Sequence, residues 1–238
     1  MSDTVLVETV GAVRVLTLNR PEKLNAANVE MQQTLLAELR KLALHKDLRA
    51  VVLTGAGRAF SAGGDRDILN QIAAGTVPAD MHAQLGRFHV DTIRTMLALE
   101  LPVIAAVPGC ALGYAAGLVA MCDMVVMGSS AYLGDPHVSF GLAATSAAQL
   151  IWPLQCSELV AREILMTGRH VMADEALRLG LCNRICADGD ERNVAMELAE
   201  QFAGMPPAGI AETKRAFNAP LLAEAARLML PVGAADPA

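Results

Sequence analysis

Residues 101–141 read LPVIAAVPGCALGYAAGLVAMCDMVVMGSSAYLGDPHVSFG, and this stretch decides the fold. It opens on an apolar run, Val103 to Val107, that ends at Pro108-Gly109, the pattern of a buried strand stopped by a turn. After Leu112-Gly113-Tyr114, the small residues from Ala115 to Met121 predict a tightly packed helix. Met124 to Met127 then predict a second strand. A strand, a glycine-containing turn and a helix start leave backbone N–H groups directed at one spot, where an anion or a developing oxyanion can sit. Leu101 to Cys122 carries no charge, which alone would suit a membrane span of about 20 apolar residues. Pro102, Pro108, Gly109, Gly113 and Gly117 interrupt that run, and in lipid each break would free backbone groups needing new partners. The pattern favours a buried strand–turn–helix.

Working outward, the 238 residues are 53% hydrophobic and only 3% aromatic, which suits helices packed on a buried sheet better than an aromatic-rich sandwich. A net charge of −6 without any Lys/Arg run argues against nucleic-acid binding. The five cysteines are odd in number and lack metal-ligand spacing, so reduced thiols in a cytoplasmic protein are expected, with no metal. The first ten residues have no basic region before an apolar segment, so no signal peptide is expected.

Val5–Val10 and Ala12–Leu18 around Gly11 predict an antiparallel hairpin. From Asn28 to Leu44, Met31, Leu35, Leu39 and Leu42 recur at helical spacing. Ala50–Thr54 is a short buried strand, followed by the small-residue loop Ala59–Asp65, with Asp65 as cap of a further helix. Gly75–Pro78 reads as a link, and Asp80–Leu99 as a helix capped by Asp80. Helices are also expected over Ala143–Ile151, Ser157–Met166 (Ser157 as cap, Gly168 past the end) and Ala173–Leu179. A last strand is expected over Cys182–Ile185. Glu191–Ala203, Ile210–Phe217 and Leu221–Leu230 read as helices separated by Pro206-Pro207 and Pro220. The alternation gives an α/β fold with a helical C-terminal segment.

Four segments, in this order, resemble the enoyl-CoA hydratase/isomerase (crotonase) superfamily: NRPEKLNA (Asn19–Ala26), AFSAGGD (Ala59–Asp65), AAVPGCALGYAAGLVAMCD (Ala105–Asp123) and MTGRHVMADEALRLGLCNRI (Met166–Ile185). The resemblance implies a crotonase-like spiral of ββα units over residues 1–190. Residues 191–238 would then be a shortened C-terminal helical segment used in oligomerisation, giving a homotrimer or hexamer. It implies an acyl-CoA thioester substrate and an enolate-like intermediate, with coenzyme A entering as part of the substrate and no separate cofactor. The two N–H groups of the family's oxyanion hole fall on Gly64 and Tyr114. CoA contacts fall on Arg20, Lys23, Leu24, Ala62, Asp65 and Arg66, with Arg58 a further candidate for the phosphates.

Hydratases of the family carry two glutamates, and the matching positions hold Gly117 and His137. An imidazole near neutrality can serve as general acid or base. Asp135, on the same side as His137 if the segment is extended, can orient it. His89, on the Asp80 helix with His82, is a second acid/base candidate, and the Tyr114 hydroxyl can either face the pocket or pack. Ser61 lies in no G-x-S-x-G motif, so a serine hydrolase is not indicated. The expectation is a hydratase- or isomerase-type lyase or isomerase of fatty acid metabolism. The alternatives are a carbon–carbon bond hydrolase of β-dicarbonyl compounds, or a catalytically silent acyl-CoA-binding subunit.

Overall fold

The computed structural model describes residues 3–144 and 147–228. Strands β1 (Val5–Val10) and β2 (Val13–Leu18) form the expected antiparallel hairpin, turning at Gly11. Helix α1 (Val29–Leu42) crosses to β3 (Ala50–Gly55), which lies parallel to β2. The Asn28 side chain accepts the Met31 N–H and so starts α1, and Met31, Leu35, Leu39 and Leu42 are its buried stripe. Next come α2 (Arg66–Ala73), α3 (Ala79–Ala98), β4 (Val103–Val107), β5 (Cys110–Leu112), α4 (Tyr114–Ala120), β6 (Met124–Gly128) and β7 (Tyr132–Gly134). A 3-10 turn over Pro136–Phe140 leads to α5 (Ala147–Gln155), α6 (Glu158–Thr167), β8 (Val171–Met172), α7 (Ala173–Leu179), β9 (Arg184–Cys186), α8 (Glu191–Ala203) and α9 (Pro207–Leu228).

Among the described residues, one six-stranded sheet runs β1-β2-β3-β4-β6-β9, parallel from β2 onward, and a smaller sheet runs β5-β7-β8. Alternate residues of the large sheet enter two cores. Leu16, Leu18, Val51, Leu53 and Val103 face α1, α3 and α4. Val13, Val15, Val52, Ile104 and Val126 face Ala195, Leu198 and Ala199 of α8. Helix α8 thus covers the second face of the sheet, while Phe217 on α9 stays exposed.

Several expectations change. Asp80 does not cap α3: the helix begins at Ala79 after Pro78, with no side-chain cap. Ala143 and Ala144 are not helical and α5 starts at Ala147; residues 145–146 of the expected helix lie outside the described residues. The two expected C-terminal helices are one, α9, with Pro220 inside it; residues 229–230 again lie outside the described residues. A proline in a helix forfeits one backbone hydrogen bond, but tertiary anchors hold α9 on both sides of that loss. Lys214 Nζ donates to Asp123 Oδ2 (2.6 Å) and to the Leu101 carbonyl (2.8 Å). Asn218 Nδ2 donates to the Leu97 carbonyl (2.9 Å), and Ala225 is buried beyond the proline. Among the described residues, no helix is long and apolar enough to cross a membrane.

Candidate active site

Two glycine-rich loops, residues 59–65 and 108–113, are laid side by side. Ser61 N–H donates to the Cys110 carbonyl (2.9 Å) and Leu112 N–H to the Ser61 carbonyl (3.1 Å), a short parallel bridge. A Cβ on Gly63 would stand 2.5 Å from the Leu112 carbonyl oxygen, so only glycine permits that approach, and its φ of +93° also requires glycine. A second parallel bridge pairs Ala27 with Gly64: Ala27 N–H donates to the Gly63 carbonyl (2.7 Å) and Asp65 N–H to the Ala27 carbonyl (3.2 Å). In that pattern the N–H of Gly64 itself points away from Ala27. Tyr114 opens α4, whose first bond runs from Gly117 N–H to the Gly113 carbonyl, so the Tyr114 N–H is one of the helix's unspent donors. Both N–H groups can therefore receive an anionic oxygen.

His137 sits against the second loop. A Cβ on Gly113 would be 3.0 Å from His137 Cε1 and 3.6 Å from Nε2, which places the imidazole beside the residue that precedes Tyr114. Asp135, fully buried, bonds His137 twice: its Oδ1 accepts the backbone N–H (3.2 Å) and contacts ring Nδ1. The pairing was expected from an extended segment. Instead Asp135 is the N-cap of the 3-10 turn Pro136–Phe140, and the tight turn folds the imidazole back onto its cap. With Nδ1–H donated to the carboxylate, Nε2 is the basic nitrogen.

The other candidates separate. The Tyr114 side chain is buried, and burial pushes its phenol up to about 12, only partly countered by the Thr92 hydroxyl. It stays neutral and packs, with the His89 ring 5.7 Å away. The Tyr114 and Thr92 hydroxyls lie near one another without an aligned hydrogen bond. His89 thus packs against the Tyr114 ring, and His82 is exposed on α3.

Among the expected CoA contacts, Leu24 and Ala62 touch through an Ala62 N–H to Leu24 carbonyl bond (2.8 Å), and Lys23 and Arg66 are exposed. Asp65 caps α2 through its bond from the Asp67 N–H (3.2 Å) and also pairs with Arg20 (3.0 Å), so Arg20 is engaged within the protein. The sequence reading missed this pairing. Its only trace was an Arg and an Asp in two separate matched segments. Arg58 lines a separate cavity of about 710 Å³ with Thr54, Gly109, Ser130, Asp188 and Glu191, and neither Gly64, Tyr114 nor His137 reaches it.

Comparison with known proteins agrees with this architecture. The model of the family described as enoyl-CoA hydratase/isomerase matches residues 8–229. A short-chain-enoyl-CoA hydratase from Clostridium acetobutylicum is 31% identical over 217 residues, covering 91% of this chain and 81% of that protein. A 1,2-epoxyphenylacetyl-CoA isomerase from Escherichia coli is 31% identical over 218 residues, covering 92% of this chain and 83% of the other. The crystal structure of an enoyl-CoA hydratase/isomerase from Mycobacterium paratuberculosis superposes with a TM-score of 0.89 at 38% identity, over 96% of this chain and 89% of that one. The two-sheet α/β core, the paired glycine loops and these matches lead to one conclusion: the chain belongs to the enoyl-CoA hydratase/isomerase family, within the crotonase superfamily.

Proposed function

We propose that this enzyme acts on an acyl-CoA thioester, holding the thioester oxygen at the Gly64 and Tyr114 N–H groups while His137 moves a proton at the adjacent carbon. The observation that carries this reading is the Asp135–His137 pair standing against Gly113, one residue from a helix-start donor. Nε2 takes the proton next to the carbonyl, and the electron pair moves onto the thioester oxygen as an enolate. Asp135 keeps the second ring proton on Nδ1 and steadies the imidazolium, the division of labour seen in histidine–carboxylate pairs generally. In a β,γ-unsaturated thioester the enolate is conjugated with the double bond, and return of the proton at the γ carbon shifts that bond into conjugation with the carbonyl and completes an isomerisation. Two relatives named for acyl-CoA substrates support the substrate class. The assembly in this reading is a homotrimer or hexamer, the setting is cytoplasmic fatty acid metabolism, and coenzyme A arrives with the substrate.

Hydration is expected to be weak, because Gly117 and His137 stand where the resemblance puts the two hydratase glutamates. Gly117→Glu with His137→Glu should raise enoyl-CoA hydration if both positions flank the substrate. The imidazole–carboxylate pair favours one second reading, hydrolysis of a β-dicarbonyl carbon–carbon bond. There His137 would activate water to attack one carbonyl, the bond would break, and the departing carbon would leave as the enolate held by the two N–H groups. A screen of acyl-CoA esters against free cyclic diketones, with products identified by mass spectrometry, separates the readings. Turnover of diketones alone would displace the thioester reading, and turnover of any substrate excludes a silent binding subunit.

A further inference from the structure

Arg20, expected at the CoA phosphates, is committed elsewhere. Its Nη1 donates both to the Ala26 carbonyl and to Asp65 Oδ2, the latter at 3.0 Å, and both charged side chains are only 17% exposed. Ala26 and Asp65 flank the bridge between Ala27 and Gly64, so a single guanidinium nitrogen ties the two sides of that bridge together.

Arg20 is itself held. Its N–H donates to Asn25 Oδ1 (2.8 Å), and the Asn25 N–H returns to the Arg20 carbonyl (2.9 Å). Asn25 is fully buried and its Nδ2 donates to the Ala56 and Ala59 carbonyls (2.9 and 2.7 Å). Ser61 Oγ donates to the Asn25 carbonyl (2.7 Å) and accepts the Gly63 N–H (3.1 Å). Residues 20–27 thereby fasten the loop 59–65 along its length, with Arg20 closing the end next to Gly64. By contrast, Lys23 and Arg66 are exposed and belong to no ion pair among the described residues, which leaves them open to a phosphate.

We propose that Arg20 is a positioning residue that sets the direction of the Gly64 N–H through Asp65 and Ala26, and is not a phosphate ligand. The inference rests on reading Gly64 as an oxyanion donor. Such a donor works only when held to within about 0.5 Å of its productive place, and a displacement of about 1 Å can cost about 10²-fold in rate.

The test compares acyl-CoA with the same acyl-pantetheine, which has the thioester but no phosphates. The readout is deuterium exchange at the carbon next to the carbonyl. Arg20→Ala should lower kcat for both thioesters alike, by up to about 10²-fold, with KM for acyl-CoA little changed. Arg20→Lys should recover part of the loss, since an ammonium can still reach the Asp65 carboxylate. Lys23→Ala, in contrast, should raise KM for acyl-CoA and not for acyl-pantetheine. The proposal is overturned if Arg20→Ala raises KM for acyl-CoA at constant kcat and spares acyl-pantetheine. A wild-type protein that exchanges neither thioester would instead defeat the enolate reading. Arg20 would then be judged by amide hydrogen exchange: Arg20→Ala, or Asp65→Asn if the former does not fold, should lose protection across residues 61–66, and unchanged protection there rejects the role.

Discussion

The imidazole of His137 is bonded through Nδ1 to the carboxylate of Asp135, a residue with no solvent exposure, and its other face lies on Gly113. A buried carboxylate next to an imidazole fixes the tautomer, and an amide in its place can present N–H to Nδ1 and move the ring proton to Nε2. Asp135→Asn should therefore slow α-proton exchange nearly as much as His137→Ala, both within the roughly 10²–10⁴ of general acid–base catalysis. Steady-state rates of the two variants on a shared thioester check this. A full-rate Asp135→Asn enzyme would reduce the pair to a structural cap.

Gly113 is under two constraints. Its φ is +52°, and a Cβ would meet the His137 ring at 3.0 Å. Gly113→Ala should lose about 1–3 kcal/mol of stability from backbone strain, and it should also displace His137 and depress turnover. Urea unfolding beside a kinetic assay checks both effects. A variant as stable and as active as the wild type would mean that the imidazole is not seated on this turn.

Burial pushes the Cys182 thiol from its ordinary 9.0 up to about 11, and raises Cys122 further. The unfolded thiols ionise first, so the folded state retains protons the unfolded state has shed. That contribution to stability is complete below about pH 9 and is lost as pH rises through about 11. Urea midpoints should fall over this window, and less steeply in the double variant Cys122→Ala/Cys182→Ala. Equal slopes would show that other groups govern alkaline unfolding.

Much of this could be read from the chain. The hairpin about Gly11, α1, β3, β4 and α6 with its Ser157 cap follow from periodicity and local end signals, which act over a few residues. What escaped was set by distant partners. Strands β5, β7 and β8 span two or three residues each, too short for any period, and exist because neighbouring chain supplies their ladder. Pro220 reads as a helix break, yet Lys214 and Asn218 hold α9 to Leu101, Asp123 and Leu97. At the site, the strand–turn–helix pattern marks the second glycine loop as a place for an anion, whereas Gly64, Tyr114 and His137 are positions that the family resemblance implies. The Arg20–Asp65 pair escaped because a guanidinium looks the same in sequence whether it awaits a phosphate or pairs with a carboxylate.

In the proposed reaction the Gly64 and Tyr114 N–H groups stabilise an enolate. Deuterium incorporation next to the carbonyl of a saturated acyl-CoA, followed by mass spectrometry, measures it most directly. Gly64→Pro removes one donor, and losing one such donor costs about 2.7–4 kcal/mol of transition-state stabilisation. Wild-type exchange should run well above buffer and collapse by about 10²–10³ in Gly64→Pro, with circular dichroism confirming that the variant folds. Wild-type exchange no faster than buffer across several CoA esters, or undiminished exchange in a folded Gly64→Pro protein, would contradict this stabilisation.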